Sequence, residues 1–363
     1  MKQPVYNFGA GPAKLPSPVI EQIQAEFLEF KNMGSSIIEI SHRSKQFDDL
    51  LNETDQLFTE LVELPENYKV LYVHGGASMQ FSAIPMNLMQ LKPARKALYF
   101  ETGNFARLSK EEAKKYGEIV TVASSADTNH DRIPEFNKAD LDQEASYAYI
   151  TSNNTIFGTR WQEFPDTGDI PLVIDATSEL LSRKMDFSKF GIIFAGAQKN
   201  LGPAGLAMVV IREDLLGHAM ENTPKLLNYD IYNQKHSLAN TNNTFAIYVI
   251  NLVLKWLKKE GGVSAIEKVN EAKAARMYAK LDESGFYQGH AQPAHRSTMN
   301  VTFNLPSDGL LELFLKQSTD EGLTALKGHR SIGGVRASIY NAMPMEGIET
   351  LIDFMAEFER RNG

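Results

Sequence analysis

One lysine stands out by its surroundings. Lys199 lies in the run GIIFAGAQKNLGPAGLAMVVI, between two apolar strand-like stretches and inside a turn rich in Gly and Ala. Small neighbours let backbone and ligand approach closely, and an ammonium partly removed from water loses proton affinity. Such an amine suits Schiff-base chemistry with a carbonyl compound. Taken alone, a loop lysine is more often simply solvated. Upstream, Asp175 ends the apolar run PLVID, at the carboxyl end of a strand, where open α/β sheets bind ligands. A carboxylate there can hold a pyridine nitrogen protonated, making the ring an electron sink for a carbanion at a substrate α-carbon. An Asp at a strand end is otherwise a cap or turn former. Its pairing with Lys199 is what favours chemistry.

Other candidates surround this pair. VLYVHGGASMQF places Gly75, Gly76, Ala77 and Ser78 between a strand and a helix, where free N–H groups and the helix dipole favour an anion such as a phosphate. The same turn is common in folds that bind nothing there, and the chain has neither a Walker motif nor a dinucleotide fingerprint. Phe105 follows a strand end and can lay its ring on a flat ligand, or belong to the core. Thr155, after the run YAYIT, offers a hydroxyl, or is a turn residue. His42-Arg43 and His329-Arg330 each combine a planar fork for phosphate or carboxylate with a donor whose charge varies near neutral pH. Each pair alone is more often a surface salt-bridging element. His295-Arg296 looks similar locally and is assigned no role.

These residues need a scaffold, and the hydrophobic rhythm describes one. Ser17 is a helix cap with Pro18 in the first turn, and Ile20, Ile23, Phe27 and Phe30 keep helical spacing up to Gly34. A second helix follows IIEISHRS, with Phe47, Leu50, Leu51, Leu57, Phe58 and Leu61 on one face. VLYVH, KALYF, EIVTV and YAYIT then alternate with helical stretches, the signature of βα units around a largely parallel sheet. PLVID, GIIFAG and LAMVVI follow too closely for full helices between each pair, so part of the sheet is expected to be mixed or antiparallel. A helical region from Asn243 breaks at Gly261-Gly262, and a further helix runs from Val263 to Ser284. A strand (MNVTFNL), a helix (Gly309 to Glu321), a short strand (VRASI) and a final helix (Met345 to Arg361) complete a small α+β domain. The expected division is an arm over 1–15, a large domain over 16–260 and a small domain over 261–363.

Composition narrows the functional classes. The chain has 363 residues, 43% of them hydrophobic, enough for a large core. Its net charge of −8 gives no general attraction to nucleic acid or anionic lipid. The absence of cysteine excludes disulfides, thiolate zinc sites and a catalytic cysteine, and no metal ligands are assigned. MKQPVYNFGAGPAKLPS is broken by Pro and Gly before a long apolar stretch forms, so neither a signal peptide nor a membrane span is expected, and the protein is expected to be cytoplasmic.

Taken together, FGAGPAKLP, SHR, HGGAS, AGAQKNLGPAG and KGHRSIGGVRASIYNAMP closely resemble the phosphoserine aminotransferases of the class V aminotransferase family, along essentially the whole chain. The resemblance implies an α/β fold of the type I pyridoxal phosphate enzymes: a large, mainly parallel seven-stranded sheet domain, a small C-terminal domain, and a homodimer with active sites at the interface. It implies pyridoxal 5′-phosphate on Lys199, with Asp175 at the pyridine nitrogen and Phe105 stacked on the ring, where other members carry Trp. Ala77, Ser78, Thr155 and Gln198 match further cofactor contacts. Asn240 and Thr241 match residues donated to the cofactor phosphate by the second subunit. His42, Arg43, His329 and Arg330 match the substrate phosphate site, and Arg336 the residue that grips the substrate α-carboxylate. The implied reaction moves an amino group from L-glutamate to 3-phosphohydroxypyruvate in serine biosynthesis. A related reaction toward 4-phosphohydroxythreonine in pyridoxine synthesis is open to members of the family. Ser78 is a departure, since some branches carry Arg there. The rival readings are another fold type I enzyme, such as an alanine-glyoxylate or serine-pyruvate aminotransferase, and a noncatalytic phosphometabolite-binding protein; cysteine desulfurase chemistry needs a cysteine that the chain lacks.

Overall fold

The protein was analysed as a computed structural model that describes residues 5–363; the first four residues of the expected 1–15 arm lie outside the described residues. After a two-residue strand, β1 (Tyr6–Asn7), helix α1 occupies Ser17–Glu26. It stops well before Gly34. Lys31 and Asn32 take left-handed backbone conformations (φ 49° and 58°), and the turn buries Phe30 edge-to-face against Tyr248 at 5.5 Å. Ser17 is also not the cap: Pro16 holds that position and no side chain caps the helix. Helix α2 (Lys45–Val62) matches its spacing, beginning where Ser44 accepts a hydrogen bond from the Phe47 amide and burying Phe47, Leu50, Leu51, Leu57 and Phe58.

The alternating pattern then appears as β2 (Tyr68–His74), α3 (Gly76–Leu88), β3 (Lys96–Glu101), α4 (Asn104–Ala113), β4 (Glu118–Ser124) and β5 (Tyr147–Thr151). A short hairpin, β6 (Asn153–Asn154) with β7 (Thr159–Arg160), precedes β8 (Leu172–Asp175), β9 (Ile192–Gly196) and β10 (Leu206–Arg212). Seven strands form one sheet in the order β2-β10-β9-β8-β5-β3-β4. Every pairing is parallel except the two made by β10, where the chain between Gly196 and Leu206 has no room for a crossover helix. All residues of β8 and β9 are buried, which is why both read as unbroken apolar runs. Alternate residues of the same strands feed the cores on opposite faces, as with Leu98 and Tyr99 or Met208 and Val209.

Helices α5 (Tyr229–Gln234) and α6 (Thr244–Lys259) follow, and Gly261 and Gly262, both at positive φ, separate α6 from α7 (Val263–Glu283). Beyond them come β11 (Gln288–Gly289), β12 (Asn300–Asn304), α8 (Asp308–Asp320), β13 (Leu323–Thr324), β14 (Val335–Ser338) and α9 (Met345–Asn362). Strands β11, β12 and β14 make an antiparallel sheet, and β1 pairs in parallel with β13. Tyr6 and Phe8 thereby join the apolar core of the C-terminal elements, with Phe303, Phe314 and Met355. From there the chain crosses the lysine turn: Ala13 donates to the Gln198 carbonyl (2.9 Å), and the Tyr340 hydroxyl donates to the Ala10 carbonyl (3.0 Å). Among the described residues no helix is long and apolar enough to cross a membrane.

Candidate active site

A cavity of about 480 Å³ opens at the carboxyl ends of β5 and β8 and beside the turn after β9. Lys199 is 7% exposed, and its Nζ donates to Thr155 Oγ1 at 2.5 Å while lying 5.7 Å from the centre of the Phe105 ring. Burial pulls its pKa down to about 8; the nearby Asp175 charge opposes the shift and Arg336 adds to it. Asp175 is 4% exposed, and burial raises its pKa above the ordinary carboxylate value. Hydrogen bonding from Thr177, whose amide donates to Oδ1 at 3.0 Å, and the Lys199 charge pull it back toward ionisation. Phe105 reaches the cavity from the first turn of α4.

The opposite wall is the amino end of α3, which has no side-chain cap. Gly75 and Gly76 hold φ of 85° and 67°, which only glycine adopts without strain, and Gly76, Ala77 and Ser78 line the cavity. Close approach is also built in at Gly196: a Cβ there would sit 2.5 Å from Gln198 Oε1 and 3.2 Å from the Ala77 amide nitrogen. On the small-sheet side, Arg336 projects from β14, with its Nε buried and unpartnered. A half-buried guanidinium without a carboxylate is unusual, and its burial lowers its pKa. His329 lines the same rim. Among the described residues no group of His, Cys, Asp and Glu could hold a metal ion.

Residues 5–351 match the family described as Aminotransferase class-V. The chain belongs to the class-V aminotransferases. It is 51% identical to a phosphoserine aminotransferase of Desulfosudis oleivorans, covering 100% of both chains. The fold superposes on the phosphoserine aminotransferase of Bacillus circulans subsp. alkalophilus with a TM-score of 0.96 at 45% identity, covering 99% of each chain. A pyridoxal-phosphate-bound phosphoserine aminotransferase from Trichomonas vaginalis gives a TM-score of 0.92 at 36% identity, with 97% of this chain and 100% of that one covered.

In this class-V aminotransferase the single chain gathers Lys199, Asp175, Thr155, Phe105, Ala77, Ser78, Gln198, His329 and Arg336 around one cavity. It does not gather the rest. Arg330 is exposed and does not line the cavity. His42 and exposed Arg43 precede α2 and interact with each other, Arg43 Nε lying 3.4 Å from His42 Nε2. Thr241 is exposed, whereas Asn240 reaches His74 at 3.2 Å, at the end of β2, with its own Oδ1 buried and unpartnered. His295-Arg296, which carried no assigned role, has its guanidinium paired with Asp282. Sequence reading overlooked the 10–12 arm, Asn153 and Thr177, all of which line the cavity. For Thr177 there was a usable signal, because an Asp followed two residues later by a buried amide is a common side-chain-to-backbone turn.

Proposed function

We propose that this chain transfers the amino group of L-glutamate to 3-phosphohydroxypyruvate, giving O-phospho-L-serine and 2-oxoglutarate, with pyridoxal 5′-phosphate as its cofactor. The observation that carries the reading is the Lys199 amine, buried between Phe105 and Thr155 with Asp175 deeper in the same cavity. The residues present fit the cofactor: the glycine cradle at α3 offers N–H groups to a phosphate, Phe105 offers a ring face, and Asp175 offers a buried carboxylate to a ring nitrogen.

When bound, pyridoxal phosphate supplies an aldehyde for amino exchange and a ring that delocalises negative charge from the substrate α-carbon. Lys199 would hold the cofactor aldehyde, and its amine, once free, would take the proton from the substrate α-carbon and deliver it across the nitrogen to the former aldehyde carbon. A pKa near 8 leaves a useful fraction of the free amine neutral for this task. Asp175 would hold a proton on the ring nitrogen, which maintains the electron demand. Arg336, lacking a protein partner, binds the α-carboxylate and fixes the α-carbon proton in front of Lys199. Ala77, Ser78 and Gln198 contribute to cofactor binding, and His329 to the substrate phosphate.

In this reading a second copy of the chain completes the site, supplying His42 and Arg43 for the substrate phosphate and Asn240 and Thr241 for the cofactor phosphate, and Arg330 joins the rim when the substrate binds. Support comes from the exposed apolar side chains of Leu28 and Ile38, on the same stretch as His42 and Arg43. The test is an absorbance scan of the cofactor-loaded protein before and after glutamate, then after 3-phosphohydroxypyruvate, with borohydride trapping and peptide mapping. We expect the cofactor band to shift with glutamate and return with the phosphorylated keto acid, and the trapped label to sit on Lys199. A label elsewhere, or faster return with glyoxylate than with the phosphorylated acid, overturns the reading.

A further inference from the structure

We propose that Asn341, together with Asn200 and Asn270, forms a buried latch that sets the distance between Lys199 and the substrate-binding Arg336, an inference that rests on the function proposed above. The latch closes on three successive carbonyls. Leu180, Leu181 and Ser182 lie in the turns that follow Asp175, and Leu181 is a buried non-glycine residue at φ 64°. The Leu180 carbonyl accepts from Asn200 Nδ2 (3.2 Å), the Leu181 carbonyl from Asn341 Nδ2 (2.8 Å), and the Ser182 carbonyl from Asn270 Nδ2 (3.0 Å). Buried carbonyls in irregular backbone need partners, and here each of the three is met by an asparagine from a different segment, so that one turn ties those segments together.

Asn341 is the hub. Its amide nitrogen donates to Asn200 Oδ1 (3.1 Å) and its Oδ1 accepts from Asn270 Nδ2 (2.8 Å). The three side chains are 7%, 5% and 1% exposed for Asn200, Asn341 and Asn270. Asn200 directly follows Lys199, the carbonyl turn continues from Asp175, and Asn341 stands in the turn just past the strand that carries Arg336. One turn along α7 from Asn270, buried Lys273 donates to the carbonyls of Ile339, Tyr340 and Met343 at 2.9, 2.8 and 3.1 Å, pinning the same turn from the same face of α7. Arg336 has no partner at its buried Nε, so nothing in its own side chain registers it against Lys199. The register comes through the backbone that Asn341 fastens. An amide, with donor and acceptor at fixed directions, gives a register that an apolar contact cannot. Reacting groups misplaced by about 1 Å can lose about 100-fold in rate.

The test compares Asn341→Ala and Asn341→Asp with Asn87→Ala in the cofactor-loaded enzyme. Asn87 is an equally buried asparagine near the far end of α3, donating to the Ala83 and Leu227 carbonyls and accepting from the Tyr229 amide. We expect the Asn341 variants to lose about 10- to 100-fold in kcat/KM for glutamate, through kcat as well as KM, and to move the pH midpoint of the Lys199-linked cofactor absorbance by about half a unit or more. Asn87→Ala should lower the melting temperature while leaving both readouts near wild type. Asn341→Asp keeps the oxygen facing Asn270 and the backbone N–H that donates to Asn200 Oδ1, and loses only the donor to the Leu181 carbonyl, so it decides the matter if the alanine variant does not fold. Asn341 variants that melt earlier but keep wild-type kcat/KM and pH midpoint overturn the latch. A wild-type protein that takes up no cofactor overturns the function instead, and the two failures are distinct.

Discussion

The floor and the rim of the cavity are built on different principles. On the floor, Lys199, Asp175 and Thr155 are 7%, 4% and 3% exposed, and each sits at a strand end or in a turn fixed by the sheet. Arg43, Ser78, Thr241 and Arg330, at or beyond the rim, are exposed. The difference follows from what each must do. An amine brought down to a pKa of about 8 has to be desolvated, so its surroundings must be complete within one folded core. Arginines that await a dianion gain nothing from early burial, since an unpaired buried charge is costly. Arg336 stands between the two regimes, half-buried with an unpartnered Nε.

The sharpest way to break this comparison is at the floor. Lys199→Ala should lower turnover by about 10⁴-fold or more while leaving cofactor affinity measurable, because in the proposed mechanism it would remove both the covalent anchor and the proton carrier. Near-normal turnover would remove Lys199 from the mechanism. A second probe uses pH. Burial lowers the Lys199 pKa from 10.5 to about 8, so the neutral amine dominates above that value and declines about tenfold per unit below it. Capture of pyridoxal phosphate by cofactor-free protein should therefore accelerate about 25-fold from about pH 6 to pH 7.5 and level off by about pH 9. A rate still climbing steeply at pH 9 would mean an ordinary, solvated lysine.

The contrast also explains what could be read from the sequence. Lys199 and Asp175 were legible because buried parallel strands leave unbroken apolar runs, and a polar residue at the end of such a run is conspicuous. That the sheet departs from all-parallel was legible from spacing, but not that β10 alone makes the departure, since β8 and β9 in the same crowded stretch pair in parallel. Helix α1 was drawn too long because periodicity cannot see that Phe30 finds its place against Tyr248 through a left-handed turn rather than another helical one. The Asn200, Asn341 and Asn270 set was illegible for a related reason. An asparagine whose partners are 20, 71, 141 or 160 residues away looks locally like any turn former. His42 and Arg43 offered suitable chemistry, yet only the motifs around them and around Arg336 tied these residues to a ligand, since no local pattern says which arginine will meet one.

At the rim, the expected effects are smaller and selective. Arg43→Ala should slow the half-reaction with 3-phosphohydroxypyruvate by about tenfold, the worth of one charge-assisted hydrogen bond. The glutamate half-reaction should lose less, because a carboxylate presents less charge than a phosphate. Single-turnover absorbance changes for the two halves measure this directly. Equal losses in both would place Arg43 in general scaffolding, and no loss in either would remove the second copy's arginine from the substrate site.

Ser78→Arg offers the finest comparison, because it adds to the rim a charge that some family branches carry. Two effects act at this position. A guanidinium beside the substrate phosphate gains the energy of an exposed ion pair, about 0.2–1 kcal/mol. The same cation sits in the first turn of α3, where the helix dipole costs the fold about 0.3–1 kcal/mol in free and bound enzyme alike, a loss that shows in stability and not in KM. The ion pair alone predicts a drop in KM for 3-phosphohydroxypyruvate of no more than about fivefold, with unchanged kcat. Since Ser78 is exposed, what gain there is should disappear in about 1 M salt, where the screening length falls to about 3 Å. A gain of tenfold or more that survives high salt would mean that position 78 is enclosed when substrate is bound, and would move it from the rim to the floor.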